Sequence, residues 1–399
     1  MPDHPLFFLS AAEPSGDALG AALIGALRQE FPDGQFTGIG GPKMIRAGCR
    51  VWADPTGNSA MLAGAVLQAR YWWRLLRQVR REFATHPPDL VVPIDSPTVN
   101  VRLSRLARRR GIAVCYYVAP QLWAWAPWRI KAFAAAVDHL CCILPFEEDY
   151  FRRQGVPTTY VGHPLFDQPA NGAACDPAQL KPALPAASLK IALLPGSRRA
   201  EIIANFPPML EAVRALHSRF PGSAFAAAAA DDARGWQIRG LLRHSGLRVD
   251  VRSGVTDAII RWADLVLTVS GTATLQVARH HKPMLVMYTL AWWKWNFAGR
   301  FLVQTRYLSL VNILAGRELV PEFIPFHGSL RPLLRRAGEL LSQPQQRTAI
   351  ARELGELVAP FEAFSRDMPA ARRVALEIAR LRLSGSNQRP PIAVRGGTE

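Results

Sequence analysis

Residues 193–201, LLPGSRRAE, carry the clearest chemical signal in this sequence. An apolar run predicted as a strand over 189–194 ends in a Pro-Gly-Ser turn, and a helical pattern begins after Arg198. Such a turn offers free backbone N–H groups and the positive end of a helix dipole to an anion. The guanidinium of Arg198 also suits phosphate oxygens. Gly196, Ser197 and Arg198 are therefore candidate phosphate ligands, and an ordinary turn with solvated arginines is the alternative.

A second turn of the same kind follows the apolar run at 266–269. It contains Ser270, Gly271 and Thr272. Small residues let the backbone approach a diphosphate closely, and hydroxyl groups supply hydrogen-bond donors. A plain helix N-cap is the alternative, because Ser and Thr also favour that position. Two such turns in one half of the chain favour a diphosphate site there.

The charge balance of the 399-residue chain is strongly basic, with 48 Lys and Arg against 31 Asp and Glu and a formal net charge of +17. This indicates an anionic partner: a nucleic acid, a lipid surface or a phosphorylated substrate. The sequence holds no recognised RNA- or DNA-binding motif, so a nucleic-acid partner is not expected. The five cysteines, at 49, 115, 141, 142 and 175, lack CxxC spacing, and their odd number is typical of reduced thiols in a cytoplasm.

Apolar runs alternate with helical patterns along the chain, which favours βαβ units and parallel sheets. The sequence predicts an α/β fold of two Rossmann-like, doubly wound domains that face a central cleft, where ligands of open α/β sheets bind. The predicted parts are an N-terminal domain at 1–185, with an Ala- and Pro-rich linker over 168–188, a C-terminal domain at 186–360, a helix at 361–384 that packs back on the N-terminal half, and a disordered tail at 385–399.

Short blocks of small, polar and aromatic residues occur in a fixed order. They are AEPSGD at 12–17, GIGGPKM at 38–44, IDSP at 94–97 with Asn100, WAW at 123–125, LPFE at 144–147, GHP at 162–164, LPGSR at 194–198, SGTA at 270–273 and NILAGRE at 312–318. Each block alone is a weak signal, but nine in order are specific. With them the chain resembles the lipid-A-disaccharide synthases, inverting glycosyltransferases of the GT-B architecture, over almost its whole length.

That family joins a UDP-linked 2,3-diacylglucosamine to 2,3-diacylglucosamine 1-phosphate and releases lipid A disaccharide 1-phosphate and UDP. The resemblance implies the same reaction and the same two lipid substrates here, with no metal and no other cofactor. The UDP leaving group gains negative charge in the transition state. The turns at 196–198 and 270–272 would stabilise that charge.

Asp95 is the candidate general base of this reaction. It follows the predicted strand at 89–94, and a carboxylate there can take the proton of the attacking sugar hydroxyl. From the residues alone, an N-cap or turn role beside Pro97 is the alternative. The resemblance adds a second catalytic candidate and further substrate-binding positions. These are Glu13 as the catalyst, Ser15 and Gly16 in the same loop, and Asn312 in the second half.

Several positions depart from the family pattern. Gln276 stands where a glutamate usually follows Ser-Gly-Thr, and in GT-B enzymes that carboxylate commonly holds the ribose hydroxyls of the nucleotide. Gln276 can still hydrogen-bond to UDP but carries no charge. Thr98, Ala126, Thr289 and Pro325 also differ from the usual residues. These departures leave open a divergent or inactive paralogue that binds lipid or nucleotide. A UDP-sugar epimerase-like enzyme of the same fold is a third option.

Two stretches have the composition of a membrane interface. Residues 71–81 are basic and amphipathic, and residues 292–306 interleave Trp292, Trp293 and Trp295 with cations and aliphatics. They predict contact with an anionic membrane surface, although a core position is the alternative for both. Because the sequence has no secretory signal and no run that could span a bilayer, we expect a peripheral enzyme at the cytoplasmic face of the inner membrane. A homodimer is left open.

Overall fold

The computed structural model describes residues 4–56, 65–170, 176–289, 305–324, 326 and 329–383. The chain forms two units. One comprises Met1–Asp167 with Phe364–Glu399, and the other comprises Gln168–Ala363. The predictions for the tryptophan-rich segment around 292, for Pro325 and for the tail at 385–399 lie outside the described residues.

The first unit is built on a parallel sheet with the strand order β3-β2-β1-β4-β5-β6-β7. The strands are β1 Leu6–Ala11, β2 Gln35–Ile39, β3 Arg50–Ala53, β4 Leu90–Ile94, β5 Ala113–Tyr117, β6 His139–Cys142 and β7 Thr158–Tyr160. The helices between them are α1 Pro14–Glu30, α2 Pro42–Arg46, α3 Ala65–Thr85, α4 Pro97–Arg108, α5 Leu122–Trp125, α6 Ile130–Ala134 and α7 Pro145–Arg153. The central strand β4 is buried along its whole length, as expected for a sheet with helices on both faces.

The second unit repeats this design with the strand order β10-β9-β8-β11-β12-β13, again parallel. Its strands are β8 Leu189–Leu194, β9 Ser223–Ala229, β10 Asp250–Ser253, β11 Leu265–Thr268, β12 Met284–Met287 and β13 Glu322–Phe323. Its helices are α8 Arg199–Arg219, α9 Asp232–Leu242, α10 Thr256–Trp262, α11 Thr272–Arg279, α12 Leu310–Ala315 and α13 Arg331–Ser342. Helix α14, Pro344–Asp367, begins in this unit and ends in the first.

The last described helix, α15 Ala370–Leu383, belongs to the first unit and packs against α1. Its Val374 and Ile378 are fully buried in the same apolar cluster as Phe7 and Leu23. A fully buried side chain of this size contributes about 1.5–3 kcal/mol relative to an exposed one. The far end of the chain therefore completes the core around β1.

The boundary between the units differs from the predicted one at 185, because the segment before β8 lies on the second unit. The indole N–H of Trp262 in α10 donates to the carbonyl of Pro185 at 3.1 Å. The guanidinium of Arg279 in α11 donates to the carbonyl of Gln168. Among the helices described here, none combines the length and hydropathy of a membrane-spanning segment.

Candidate active site

The two catalytic candidates and the two predicted phosphate turns lie where each sheet reverses its strand order. In the first unit β1 and β4 are neighbours, with Ala11 paired to Ile94, so that Glu13 and Asp95 follow adjacent strand ends. Ligands of open α/β sheets bind outside the carboxyl ends of the strands at this point. The structure therefore brings the two predicted catalytic carboxylates to one edge of the first sheet.

The backbone at Asp95 is strained. Asp95 and Ser96 have φ values of 50° and 46°, in the left-handed region that non-glycine residues rarely adopt. Such a residue costs about 1–3 kcal/mol and persists only where its surroundings hold it. Here the Tyr116 hydroxyl donates to the Asp95 carbonyl at 2.7 Å, and the Asn100 amide donates to the same oxygen at 2.8 Å. Burial raises the pKa of Tyr116 well above its usual value, so this donor stays protonated.

Asn100 ties the two strand ends together. It is fully buried, its Nδ2 donates to the carbonyl of Ile94 at 2.9 Å, and its Oδ1 accepts from the Ser10 hydroxyl at 2.7 Å. An amide is suited to this position because it donates and accepts at once. Asn100 therefore fixes the turn that carries Asp95 relative to β1.

The Glu13 loop is shorter than the sequence suggests, because α1 begins at Pro14 and Glu13 is its N-cap residue. Ser15 is exposed on the first turn, whereas Gly16 is buried, and a Cβ on Gly16 would lie 3.2 Å from the Cβ of Ala11. Asp17 lies in the first turn of α1, and its side chain bonds outside that helix. Its carboxylate accepts from the backbone N–H groups of Gly41, Lys43 and Met44, at 2.8, 3.0 and 3.0 Å, and so holds the start of α2.

A second, fully buried carboxyl group lies in the same unit. Burial raises the pKa of Glu147 from 4.5 to about 8, although hydrogen bonds from Trp123 and Leu144 oppose the shift, and the charge of Asp95 adds to it. The Trp123 indole donates to Glu147 Oε1 at 3.1 Å, and the Leu144 N–H donates to Oε2 at 3.2 Å. Glu147 thereby joins α5 to α7, a role that its sequence block does not reveal.

The raised pKa of Glu147 gives a pH-dependent stability. A carboxyl group that binds its proton more tightly in the folded state stabilises the fold below the unfolded pKa, and this contribution is lost as the pH rises through the folded pKa. As the pH rises from 4.5 to about 8, we expect the melting temperature of the parent to fall by a few degrees relative to that of Glu147→Gln, which does not titrate. Glu148, the partly exposed neighbour of Glu147, offers a control. The melting temperature of Glu148→Gln should change with pH as that of the parent does. Parallel profiles for the parent and Glu147→Gln would contradict the shift.

In the second unit the two predicted phosphate turns follow adjacent strands. β8 and β11 are neighbours, with Leu194 paired to Thr268, and here too the strand order reverses between them. The turn at 196–198 and the turn at 270–272 therefore lie at the same edge of the sheet. Gly196 has a φ of 111°, and a Cβ there would meet Glu201 at 2.7 Å, so this turn requires glycine.

The first of these turns already holds an anionic group from the protein itself. Oε2 of Glu201 accepts from the backbone N–H groups of Ser197 and Arg198, each at 3.2 Å, and Arg198 Nη1 donates to Oε1 at 3.1 Å. The turn thus presents donors in the arrangement that an anion needs. Tyr288, after β12, lies close enough for Glu201 to raise and Arg198 to lower its pKa, which burial raises most. The sequence did not identify Tyr288 as a neighbour of this turn.

The second turn is partly committed to structural hydrogen bonds. The Ser270 hydroxyl donates to the carbonyl of Leu308 at 2.8 Å, so its proton serves the fold. Gly271 has a φ of 123° and precedes α11, whose first residue, Thr272, is exposed. The exposed Thr272 side chain and the flanking backbone therefore remain the better ligand candidates of this turn.

Gln276 faces a carboxylate. Its Nε2 donates to Asp257 Oδ1 at 3.1 Å, and His280 Nε2 lies 2.7 Å from the same oxygen. Burial opposes ionisation of Asp257, but the hydrogen bonds from His280 and Gln276 lower its pKa below the usual value. A glutamate at 276 would meet this negative charge, which explains why an amide fits. Position 276 lacks the usual carboxylate, but Asp257 on α10 supplies one beside it.

The geometry of Asn312 does not support direct substrate binding. Asn312 is fully buried, and its Nδ2 donates to the Val320 carbonyl and to Glu322 Oε1 at 2.8 and 2.7 Å. Its Oδ1 accepts from the N–H groups of Leu319 and Val320 at 2.8 and 2.9 Å. These four bonds use the full capacity of the amide. Asn312 instead fixes the chain between α12 and β13.

We therefore expect Asn312→Ala to reduce the stability of the protein by on the order of 3 kcal/mol, because it leaves several buried polar groups unpaired. Unfolding in denaturant measures this loss, and the folded fraction should bind UDP with parental affinity. Gln179→Ala, which removes an exposed amide from the same unit, is the control. An Asn312→Ala variant with parental stability and lost UDP affinity would restore the substrate-binding role.

Each unit has the doubly wound sheet of the GT-B class, which includes glycosyltransferases and nucleotide-sugar epimerases. A family model described as lipid-A-disaccharide synthetase matches residues 7–367. The chain belongs to this family. It is 34% identical to the lipid-A-disaccharide synthase of Geobacter sulfurreducens over 84% of this chain and 87% of that protein. It is 36% identical to the Burkholderia lata lipid-A-disaccharide synthase, over 79% and 81% of the two chains.

Solved structures support the fold. A UDP-GlcNAc 2-epimerase from Methanocaldococcus jannaschii, in complex with UDP-GlcNAc and UDP, superposes with a TM-score of 0.59 at 11% identity, covering 96% of this chain and all of that one. The spinosyn rhamnosyltransferase SpnG, complexed with thymidine diphosphate, gives a TM-score of 0.52 at 14% identity, covering 95% of this chain and 100% of the other. At these identities the likeness concerns the fold alone.

Proposed function

We propose that this protein joins UDP-2,3-diacylglucosamine to 2,3-diacylglucosamine 1-phosphate, forming lipid A disaccharide 1-phosphate and UDP. Family membership over residues 7–367 supports the reaction. The observation that carries the assignment is Asp95, held at a strained turn where the first sheet reverses its order. Strain that the surroundings maintain at such a position is typical of functional residues.

In the proposed mechanism, the Asp95 carboxylate takes the proton of the acceptor hydroxyl as its oxygen attacks the anomeric carbon of the donor sugar. The bond between that carbon and the UDP oxygen breaks, and the configuration inverts. Glu13, at the neighbouring strand end, is the second catalytic candidate, with Ser15 and Gly16 beside it. A positioned base contributes about 10²- to 10⁴-fold to the rate.

The second unit would bind the donor. Its turns at Gly196, Ser197 and Arg198 and at Ser270, Gly271 and Thr272 flank the point where its sheet reverses. The backbone N–H groups of Ser197 and Arg198 and the Arg198 guanidinium, which bind Glu201 in the structure, would exchange this carboxylate for the diphosphate and stabilise it as it leaves. Gln276, with Asp257 beside it, is the candidate for the ribose hydroxyls.

Incubating the purified chain with both lipid sugars and detecting UDP and the disaccharide tests this function. The transferase should release UDP only when the acceptor is present. UDP release or sugar inversion without the acceptor would favour the epimerase-like alternative. Binding of the donor with no product under any condition would favour the inactive paralogue.

We also propose that the enzyme works at the cytoplasmic face of the inner membrane. Its lipid substrates are poorly soluble in water, and the basic, tryptophan-bearing helix α3 supports contact with an anionic surface. The predicted contribution of Trp292, Trp293 and Trp295 stays a prediction, as does the homodimer.

A further inference from the structure

An arginine groove lies between α3 and α4 in the first unit, separate from the Asp95 turn. It has a volume of about 370 Å³ and is lined by Trp73, two leucines and five arginines, Arg77, Arg80, Arg102, Arg105 and Arg109. The proposed reaction uses none of these residues. We propose that this groove binds the phosphate headgroup of an anionic phospholipid, which deepens the membrane contact proposed above and rests on it.

The spacing of the lining residues shows that the groove is a feature of two helix faces. On α3 they occupy positions 73, 76, 77 and 80, and on α4 with its C-cap residue Arg109 they occupy positions 102, 105, 106 and 109. Each set follows the i, i+3, i+4, i+7 pattern, which usually forms an apolar stripe between packed helices. The apolar stripe of α3 is a different one, with Leu75, Val79 and Phe83 buried. The face of α3 that lines the groove therefore places its arginines opposite those of α4.

The charges of the groove have no counter-charge among the described residues that line it. Its lining includes no carboxylate, and none of its five arginines forms an ion pair with another described residue. Like charges at this density repel one another, and a bound anion would remove that repulsion. The last turn of α4 favours cations through the helix dipole, but this explains neither Arg77 and Arg80 on α3 nor Arg102 in the middle of α4.

The apolar part of the groove selects a lipid among possible anions. Trp73 is 61% exposed, with the Arg77 guanidinium 5.3 Å from its ring centroid, and Leu76 and Leu106 are half-buried beside it. Guanidinium forks bind phosphate oxygens in pairs, while tryptophan favours the level of the headgroups. A nucleic acid would require a track of phosphate contacts rather than one short groove.

Sedimentation of the full chain with vesicles tests the groove, using phosphatidylcholine alone or mixed with phosphatidylglycerol, at low salt. The variant Arg77→Gln/Arg102→Gln/Arg105→Gln should lose on the order of 100-fold in affinity for the anionic vesicles. The control Arg153→Gln/Arg243→Gln/Arg335→Gln removes the same charge from exposed arginines elsewhere and should lose much less. Both variants should retain parental turnover on detergent-dispersed substrates, which separates the groove from the proposed reaction.

A charge-conserving variant distinguishes a built site from diffuse attraction. Arg77→Lys/Arg102→Lys/Arg105→Lys keeps the net charge but removes the guanidinium forks, and we expect a several-fold loss of vesicle affinity. The proposal is overturned if this lysine variant binds as the parent does, or if the two glutamine variants lose affinity equally. The proposal would also be overturned if a short RNA bound in the groove and displaced the protein from vesicles, while the protein bound phosphatidylglycerol vesicles no better than phosphatidylcholine vesicles.

Discussion

Asp95→Asn is expected to lower disaccharide formation by about 10²- to 10⁴-fold while the protein still binds the UDP-sugar, because the amide cannot accept the proton of the attacking hydroxyl. The fold should persist. Asparagine tolerates the left-handed conformation, and the bonds from Tyr116 and Asn100 go to the backbone carbonyl of residue 95, not to its side chain. Initial rates with both lipid sugars, together with the affinity for the donor, measure the effect.

Asp89→Asn provides the matched control. Asp89 precedes the other end of β4, where its carboxylate accepts from the Leu6 N–H at 2.7 Å, a bond that an asparagine oxygen can replace. This variant should retain parental turnover. Equal turnover and equal pH–rate profiles for Asp95→Asn and the parent would show that another group accepts the proton, and Glu13 would then be the first to test.

Arg198→Ala is expected to reduce turnover by about 10²- to 10³-fold, since one preorganised donor to the developing charge is lost. The turn should keep its shape because the Ser197 and Arg198 backbone N–H groups still hold Glu201. The turnover of Arg198→Lys, which retains the charge without the forked guanidinium, should lie between that of the parent and that of Arg198→Ala. Steady-state kinetics on detergent-dispersed substrates measure kcat and KM for both variants.

The adjacent arginine is the control for this change. Arg199 is exposed at the start of α8, and Arg199→Ala should leave turnover near the parental value. If Arg198→Ala raised KM while kcat stayed unchanged, the guanidinium would bind the ground state and the transition state equally. That result would remove Arg198 from the stabilisation of the leaving group.

The α/β class and the central strands of both sheets could be predicted because strands buried on both faces are nearly continuous apolar runs. The strands β3, β7 and β13 gave no such signal, since they are short and only partly buried. Asp95 and Arg198 were predicted to follow the strands at 89–94 and 189–194, and in the structure they follow β4 and β8. Their roles in the reaction stay predictions.

Contacts between distant residues were beyond the sequence. Asn312 is engaged by Val320 and Glu322, and Asp17 by residues at the start of α2, and neither pairing has a local pattern. The contact between Gln276 and Asp257 could not be predicted either, because Asp257 lies on another helix. Sequence motifs identified the polar residues, but only the fold shows which of them are already used by the protein.

The place of α15 has a consequence for the order in which the protein matures during synthesis. The second unit is one continuous stretch, so all of its residues leave the ribosome before those of α15. The first unit is begun earlier, yet its core lacks Val374, Ala375 and Ile378 until that helix emerges. Domains usually fold in the order of translation. In this chain the unit that carries Asp95 is started first and finished last, and a ribosome that stops before α15 releases a product in which the second unit is complete while the core of the first is not.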